Sequence, residues 1–496
     1  MEVHVSLPPE GGRGDLSARI YRQLRYAVLD GRLRPGERVP PTRELAARLA
    51  VSRNTVAAAY DRLTAEGLLV GRVGAGTYVC AGPLPGPPAG RSGADGDGGA
   101  GRTGGGALAP RPRWDGLAPR PTGARGTAAY DFDVGMPDTR LFPFATWRRL
   151  VANELTPSTQ PPEGYGDPAG HPGLRAAIAR YAGLSRSVRA GADDVVVTRG
   201  AQQALDVVGR VLLDPGDVVA VEEPGYPPAR NLFRSLGARV VGVPVDAEGL
   251  VVDALPARAR LVYATPSHQF PLGTPMSLAR RAALLGWAER AGAAVVEDDY
   301  DSEYRFSDRP LEPLQSLDRG GRVVYVGSFS KTMLPMLRLG FLVAPASLLP
   351  ALRVAKQLSD WHADLPAQAA LARFLDEGLL SRHLRRASRE YAGRHGRIVA
   401  GLRGELARWL EPVPSAAGLH LCARLRPDVR VDLAAVVARA RERDVVVSTL
   451  GAFSDGPPDP DGLVIGYGAI RAERIGEGLR RLAAAFRELA EPAQRL

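Results

Sequence analysis

Lysine is the residue this chain nearly does without: of 64 basic side chains among 496 residues, only Lys331 and Lys356 are lysine. Wherever positive charge alone is wanted, the chain writes arginine. General basicity therefore accounts for neither lysine. Cysteine is as scarce, with Cys80 and Cys422 far apart and in no metal-ligand spacing, so neither a disulfide framework nor a zinc site is suggested. No uninterrupted apolar run is long enough to span a membrane, and no charged-then-apolar leader opens the chain. The expectation is a cytoplasmic protein with no membrane partner.

Positive charge is what the chain has in excess. A net charge of +10 and a pI near 9.9 suit a polyanion-binding protein. The Arg-for-Lys and Ala/Gly/Pro bias also looks like mutational pressure on a whole genome, so charge alone does not identify the partner. The length suggests about three domains, and composition divides the chain accordingly. Residues 1–80 are compact and rich in motifs. Residues 81–129, including PLPGPPAGRSGADGDGGAGRTGGG, carry too little apolar surface to offset their chain entropy and read as a flexible Gly/Pro-rich linker. From 130, short apolar runs (DDVVVT, DVVAVEEP, ARVVGVPV, ARLVYAT, AAVVEDD, RVVYVGS, LGFLVA) alternate with helical patterns. That order predicts an α/β domain over 130–363 with a mainly parallel sheet covered on both faces. Residues 364–496 are richer in helix and predict a smaller α+β domain.

Within the first block, LSARIYRQLRYAVLDGRL has apolar residues at helical spacing. A Pro-rich turn follows, then a second helix with Thr42 as its expected N-cap. The short break VSRN leads into a third helix, and GRVGAGTYV supplies a glycine-marked hairpin. Helix, helix, turn, helix, hairpin is the order of a winged helix-turn-helix. Arg53 can pair bidentately with guanine or with phosphate, and Asn54 with adenine. Ser52 and Thr55 offer hydroxyls near a helix N-terminus that can hold phosphate, and Arg43 lies on the neighbouring helix. The segment ERVPPTRELAARLAVSRNTVAAAYDRLTAEGLLVGRVGAGTYV resembles the DNA-binding head of the GntR family. That resemblance places Arg43, Ser52, Arg53, Asn54 and Thr55 at the DNA surface and the wing glycine Gly76 near the minor groove. Ala57 stands where some members carry another DNA-contacting Arg, which implies a different operator.

Lys331 sits in VGSFSKTMLPMLRLGF, straight after an apolar strand and a Ser-Phe-Ser turn. An amine that must attack a carbonyl has to be lysine, because a guanidinium forms no Schiff base. Lys356, inside the helical stretch LRVAKQLSDW, is read as an ordinary helix position. The surroundings of Lys331 suit a phosphate-bearing aldehyde: Ser328 offers a hydroxyl and Arg338 a bidentate clamp. In TRGAQQALDVV, Gly200 permits close approach while Ala201 and Gln202 present helix N-terminal amides. VVEDDYDSEYRF ends a strand with Glu297, Asp298 and Asp299 and then Tyr300, and an aromatic cofactor ring needs a carboxylate at its nitrogen. Clustered carboxylates also bind Mg²⁺, but no phosphate-loop motif accompanies them, so no metal is expected. Tyr226 in VEEPGYPP either stacks on the ring or covers the core.

Together these residues resemble the fold-type I, pyridoxal-phosphate-dependent aminotransferases over roughly 130–490. The match is closer to the MocR-type regulators, which join a GntR head to such a domain. It rests on VEEPGYP, TPSHQFPLGTPMSLARRAALLGWA, VEDDYDSEYRF and GSFSKTMLPMLRLGF. It implies pyridoxal 5'-phosphate as cofactor, with Lys331 as Schiff-base lysine and Asp298 as partner of the pyridine nitrogen. Tyr300 would bind the ring hydroxyl, Tyr226 would stack, and Ser328 and Arg338 would take the phosphate. It further implies a head-to-tail homodimer reading two operator half-sites, and an effector that is pyridoxal phosphate itself or an amino compound. The pattern departs from active aminotransferases in two places and from one regulator in a third. Phe270 replaces the Asn of the usual Asn-Pro-x-Gly turn, Val464 stands where a substrate-carboxylate Arg is common, and Pro228 stands where the γ-aminobutyrate-responsive regulator carries an Arg. A regulator is therefore expected rather than a primary enzyme, although partial cofactor chemistry or a working aminotransferase with a DNA-binding appendage stays open.

Overall fold

The computed structural model describes residues 16–72, 74–80, 111–114, 116–117, 128–156, 164–306, 312–415, 417–458 and 460–490. The chain forms two compact units, Met1–Ala107 and Leu108–Leu496. Most of the segment expected to be a linker, 81–129, lies outside the described residues.

In the first unit, α1 (Leu16–Leu29), α2 (Thr42–Arg48) and α3 (Arg53–Ala65) are followed by β1 (Leu69–Arg72) and β2 (Gly76–Val79). The apolar stripe of α1, Ile20, Leu24 and Val28, packs with Leu45 of α2 and with Val56 and Leu63 of α3 in one core. The strands form an antiparallel hairpin with Arg72 opposite Gly76. Thr42 is not the N-cap of α2: Pro41 holds that position in an extended conformation with no side-chain cap, and Thr42 is the first helical residue. Ser52 does cap α3, its hydroxyl accepting from the Thr55 amide at 3.1 Å.

In the second unit, β3 (Tyr130–Asp131), α4 (Phe144–Asn153), α5 (Pro172–Arg186), β4 (Val195–Thr198), α6 (Ala201–Leu212), β5 (Val218–Glu223) and α7 (Pro227–Ser235) come first. Next are β6 (Arg239–Asp246), β7 (Gly249–Leu250), β8 (Ala259–Ala264), α8 (Leu278–Ala291), β9 (Ala294–Asp299), α9 (Leu314–Leu317), β10 (Val323–Ser328) and β11 (Gly340–Val343). All seven apolar runs become strands of one eight-stranded sheet, ordered β4-β11-β10-β9-β8-β5-β6-β7. Its centre, from β6 through β5, β8 and β9 to β10, is parallel, and β11 runs against β10 and β4. Strands β4, β5 and β10 are buried on both faces, as their near-continuous Val runs require.

After α10 (Leu349–Asp360), α11 (Leu365–Asp376) and the long α12 (Leu379–Arg403) come β12 (Leu410–Pro412), β13 (His420–Leu425), α13 (Leu433–Arg441), β14 (Val445–Val446), β15 (Ser448–Thr449), β16 (Gly462–Gly466) and α14 (Ala472–Ala490). Strands β12, β13, β16 and β15 make an antiparallel sheet. The early strand β3 pairs in parallel with β14, and Phe132 joins the core of this later region.

Lys356 is not a solvated helix lysine. It is fully buried on α10, where its Nζ donates to Asp360 Oδ1. The other oxygen of Asp360 is ion-paired with Arg199 Nε at 3.0 Å.

Candidate functional site

In the first unit, the break before α3 and the start of α2 present one polar surface. Arg43, Ser52, Arg53 and Asn54 are exposed, and the arginines make no ion pair among the described residues. The Ser52 hydroxyl already serves as a cap and lies 2.7 Å from the Thr55 hydroxyl. Its first task is thus to fix the helix start, which aims Arg53, Asn54 and Thr55 outward from the first turn. Gly76 begins the second wing strand at φ +114°, and a Cβ there would come within 2.8 Å of Arg38 Nε. Exposed Arg38 therefore covers the wing glycine. Sequence inspection misses it because its partner lies 38 residues on.

In the second unit, strand geometry gathers the other expected residues. Parallel strands β5, β8, β9 and β10 all point their C-terminal ends to one edge, where α/β sites form. A cavity of about 440 Å³ opens there, lined by Ala201, Gln202, Tyr226, Asp298, Tyr300, Ser328, Lys331 and Arg338. Gly200 lies just behind, at φ +79° before the start of α6; a Cβ there would sit 3.2 Å from the Arg338 guanidinium. Arg338 itself follows a short 3₁₀ turn in a left-handed conformation, rather than opening the strand. One of its nitrogens donates to the Arg199 carbonyl at 2.6 Å. The guanidinium is thus held against the N-terminus of α6, the arrangement an anionic phosphate needs.

Lys331 Nζ donates to the Gly135 carbonyl, which brings the loop after β3 to the lysine. Asp298 is buried on β9; its Oδ2 accepts from the Tyr263 hydroxyl at 2.8 Å while its Oδ1 has no partner. Burial pushes this carboxyl up to about 7 against the opposing pull of Tyr263 and Lys331. A protonated ring nitrogen beside the orphaned Oδ1 would restore the ionised form. Tyr300 donates to the His268 backbone carbonyl at 3.0 Å, and burial keeps its phenol protonated. Tyr226 meets Phe270 edge-on at 5.4 Å between ring centroids. The donor set therefore fits pyridoxal phosphate: an anion clamp, a lysine, an orphaned buried carboxylate and a phenol share one cavity.

Several lining residues were not anticipated. Asp133, Val134 and Gly135 come from the loop after β3, Tyr263 and Thr265 from β8 and its end, Leu419 and His420 from β13, and Ser448 and Phe453 from β15 and beyond. Most are brought in by long-range packing that leaves no local pattern, although DFDVGMPD does place a glycine just after a strand. Glu222, buried on β5, accepts from Thr265 at 2.5 Å and from Gln269 at 3.3 Å, and burial pushes it up to about 7. Gln269 in turn donates to the Phe270 carbonyl at 2.7 Å, so the turn that lacks the usual Asn is braced from below. Val464 is buried on β16 among Phe270, Leu272 and Phe453, and Arg471 is exposed beyond the strand. Among the described residues, Arg338 is the only arginine in the cavity lining. His268, Asp301 and His420 bring ligand-type atoms within 4.8 Å of one another. His268 is already committed at both nitrogens, to Asp301 at 3.0 Å and to Ser415 at 3.1 Å, so two of the three groups are a hydrogen-bonded pair.

The pattern of the bacterial regulatory proteins of the gntR family matches residues 16–79, and that of aminotransferase class I and II matches residues 131–458. The probable rhizopine catabolism regulatory protein MocR of Rhizobium meliloti is 39% identical over 469 residues, 94% of this chain and 93% of that one. The pyridoxine biosynthesis transcriptional regulator PdxR of Corynebacterium glutamicum is 31% identical over 461 residues, 92% of each. Among solved structures, the α-aminoadipate aminotransferase LysN of Thermus thermophilus, complexed with N-(5'-phosphopyridoxyl)-L-leucine, superposes with a TM-score of 0.66. It is 32% identical and covers 73% of this chain and 92% of its own. With a gntR head, a class I and II aminotransferase domain and relatives that match both along nearly their whole length, this chain belongs to the MocR-type regulators.

Proposed function

We propose that the protein is a cytoplasmic transcriptional regulator that binds operator DNA through residues 1–80 and senses a small molecule in the cavity of its aminotransferase-like domain. The cofactor is pyridoxal phosphate, as the donor set and the aminotransferase relatives support. When bound, it supplies a carbonyl carbon that captures primary amines and a ring that withdraws electrons. Lys331 would hold that carbon, Asp298 would hold a proton at the ring nitrogen, and Arg338, Ser328 and the Gly200–Gln202 helix start would hold the phosphate. Tyr300 would hydrogen-bond the ring hydroxyl and Tyr226 would flank the ring. Arg43, Arg53, Asn54 and Thr55 read or grip the operator, and Gly76 lets the wing approach the minor groove. Residues 81–129 serve as a linker, 130–363 as the cofactor-binding domain and 364–496 as the smaller domain. A head-to-tail homodimer would present two heads to two half-sites, with affinity raised by effective concentration.

The observation that carries a sensor over an enzyme is a pair of positions at which aminotransferases commonly place polar contacts. Val464 stands where the substrate-carboxylate Arg would be, and Phe270 where the cofactor-binding Asn would be. Control requires the loaded and empty cavities to favour different arrangements of the heads, because a ligand shifts only an equilibrium whose states it binds unequally. Multiple-turnover assays with amino donors and keto acids test this. The expected outcome is a single binding event with negligible turnover, and sustained turnover would favour an aminotransferase with a DNA-binding appendage.

A further inference from the structure

Arg338, the residue placed for phosphate, is seated on a single peptide unit: the Arg199 carbonyl accepts from its guanidinium at 2.6 Å. Arg338 itself lies in the left-handed region at φ +51°, a conformation uncommon outside glycine. Where its fork points therefore depends on what holds the turn of residues 198–200 between β4 and α6.

That turn is gripped from α10. Arg199 Nε is ion-paired with Asp360 Oδ2 at 3.0 Å. The Arg199 amide donates to Gln203 Oε1 at 2.8 Å, and Gln203 Nε2 donates to Ser359 Oγ at 3.4 Å. Asp360 is fixed in turn by Lys356, whose Nζ donates to Oδ1 from a fully buried position. Burial works against the Asp360 charge, but Lys356, Gln203 and Arg199 together hold its carboxyl below the usual range. A buried ion pair gives little net stability over apolar packing of the same volume. What such a pair supplies here is a fixed position for Arg199. Neither Arg199 nor Asp360 is among the residues that line the cavity.

We propose that Asp360 and Arg199 are positioning residues for the cofactor phosphate: their ion pair fixes the peptide that seats Arg338, and so aims the clamp without touching the ligand. This rests on the cofactor reading of the cavity. Charge and position predict opposite signs for Asp360. It is an anion behind an anion site, so by charge alone its removal should tighten phosphate binding. By position, its removal lets the seat and the fork drift, and phosphate binding weakens.

The test is titration of the full chain with pyridoxal phosphate and with pyridoxal, which lacks the phosphate, both followed by visible absorbance. Inorganic phosphate is added as a competitor of the first. Asp360→Asn should weaken pyridoxal phosphate by about tenfold, the low end for one hydrogen bond to a charged group. Competition by inorganic phosphate should weaken by the same factor. Pyridoxal should stay within about twofold, and the absorbance maximum at saturating cofactor should not move, because Lys331 and Asp298 are untouched. Arg199→Gln should repeat the pattern, and the double variant should lose no more than either, since both act through one pair.

Unchanged or tighter binding of pyridoxal phosphate by Asp360→Asn would overturn the proposal, as would losses that add in the double variant. A loss shared equally by pyridoxal would reduce the pair to a structural role and overturn it too. Where pyridoxal binds too weakly to titrate, the absorbance maximum makes that distinction, a shifted maximum counting against the proposal. Should Asp360→Asn fail to fold, Arg199→Gln carries the comparison, its side chain being half exposed. It is then read in about 1 M salt, which screens charge effects beyond about 3 Å. A wild-type chain that takes up no cofactor overturns the cofactor reading itself, an outcome its own absorbance separates from the variant ratios.

Discussion

The DNA-reading surface and the cofactor cavity hold their working side chains in opposite ways. In the head, Arg43, Arg53 and Asn54 project into solvent from a small apolar core and are aimed only by their helices. In the cavity, each group is braced from another element: Asp298 by Tyr263, Tyr300 by His268, Arg338 by the Arg199 carbonyl and Lys331 by the Gly135 carbonyl. The partners explain the difference. A DNA groove is wet and its phosphates attract from a distance, so long solvated arginines suffice. A small cofactor needs its contacts placed in advance, since each misplaced group costs binding. Substitutions of the solvated head residues Arg43, Arg53 and Asn54 should therefore change affinity without stability, and those in the second unit should often change both.

The sharpest contrast is between the two lysines. Lys331→Ala should abolish the visible absorbance of the bound cofactor while leaving operator binding by the empty protein intact; an unchanged spectrum would remove the cofactor assignment. Lys356→Ala should leave that spectrum unchanged but destabilise the second unit by about 3 kcal/mol, the low end for breaking a buried pair. The low end applies because Arg199 still faces Asp360. Denaturant unfolding followed beside the spectrum checks both halves of that statement. In the head, Arg53→Ala should cost about 1–3 kcal/mol of operator affinity with no shift in melting temperature. A matching loss of stability would mean that Arg53 is structural. Smallest of all, Ser52→Ala should cost about 1 kcal/mol of head stability through its lost cap. Its effect on DNA affinity should follow from fraying of α3, which circular dichroism of the variant would detect.

How much of this was legible beforehand follows the same division. The seven strands and the parallel order were readable because Val-rich runs buried on both faces have few alternatives. The residues at strand ends (Tyr226, Asp298, Tyr300, Ser328, Lys331) were readable because their neighbours in sequence are also their neighbours in the site. Contacts between distant segments were not. Nothing local marks Tyr130–Asp131 as the partner of Val445–Val446, Gly135 as the carbonyl that meets Lys331, or Arg38 as the cover of Gly76. Lys356 misled for the same reason, since a helix pattern does not show whether a lysine finds a buried carboxylate one turn on. His420 was passed over because a single histidine at a strand start has no local signature; only the fold brings it into the cavity lining.

The central claim is that the cavity around Lys331 controls the head. Its most direct test is operator affinity of the full chain, measured on DNA from its own upstream region. The titration is run first with no cofactor, then with pyridoxal phosphate, then with pyridoxal phosphate and a panel of amino compounds. The account predicts that loading the cavity shifts the affinity or the half-site pattern, and that Lys331→Ala removes the shift while still binding DNA. Identical binding curves in all three states would contradict it.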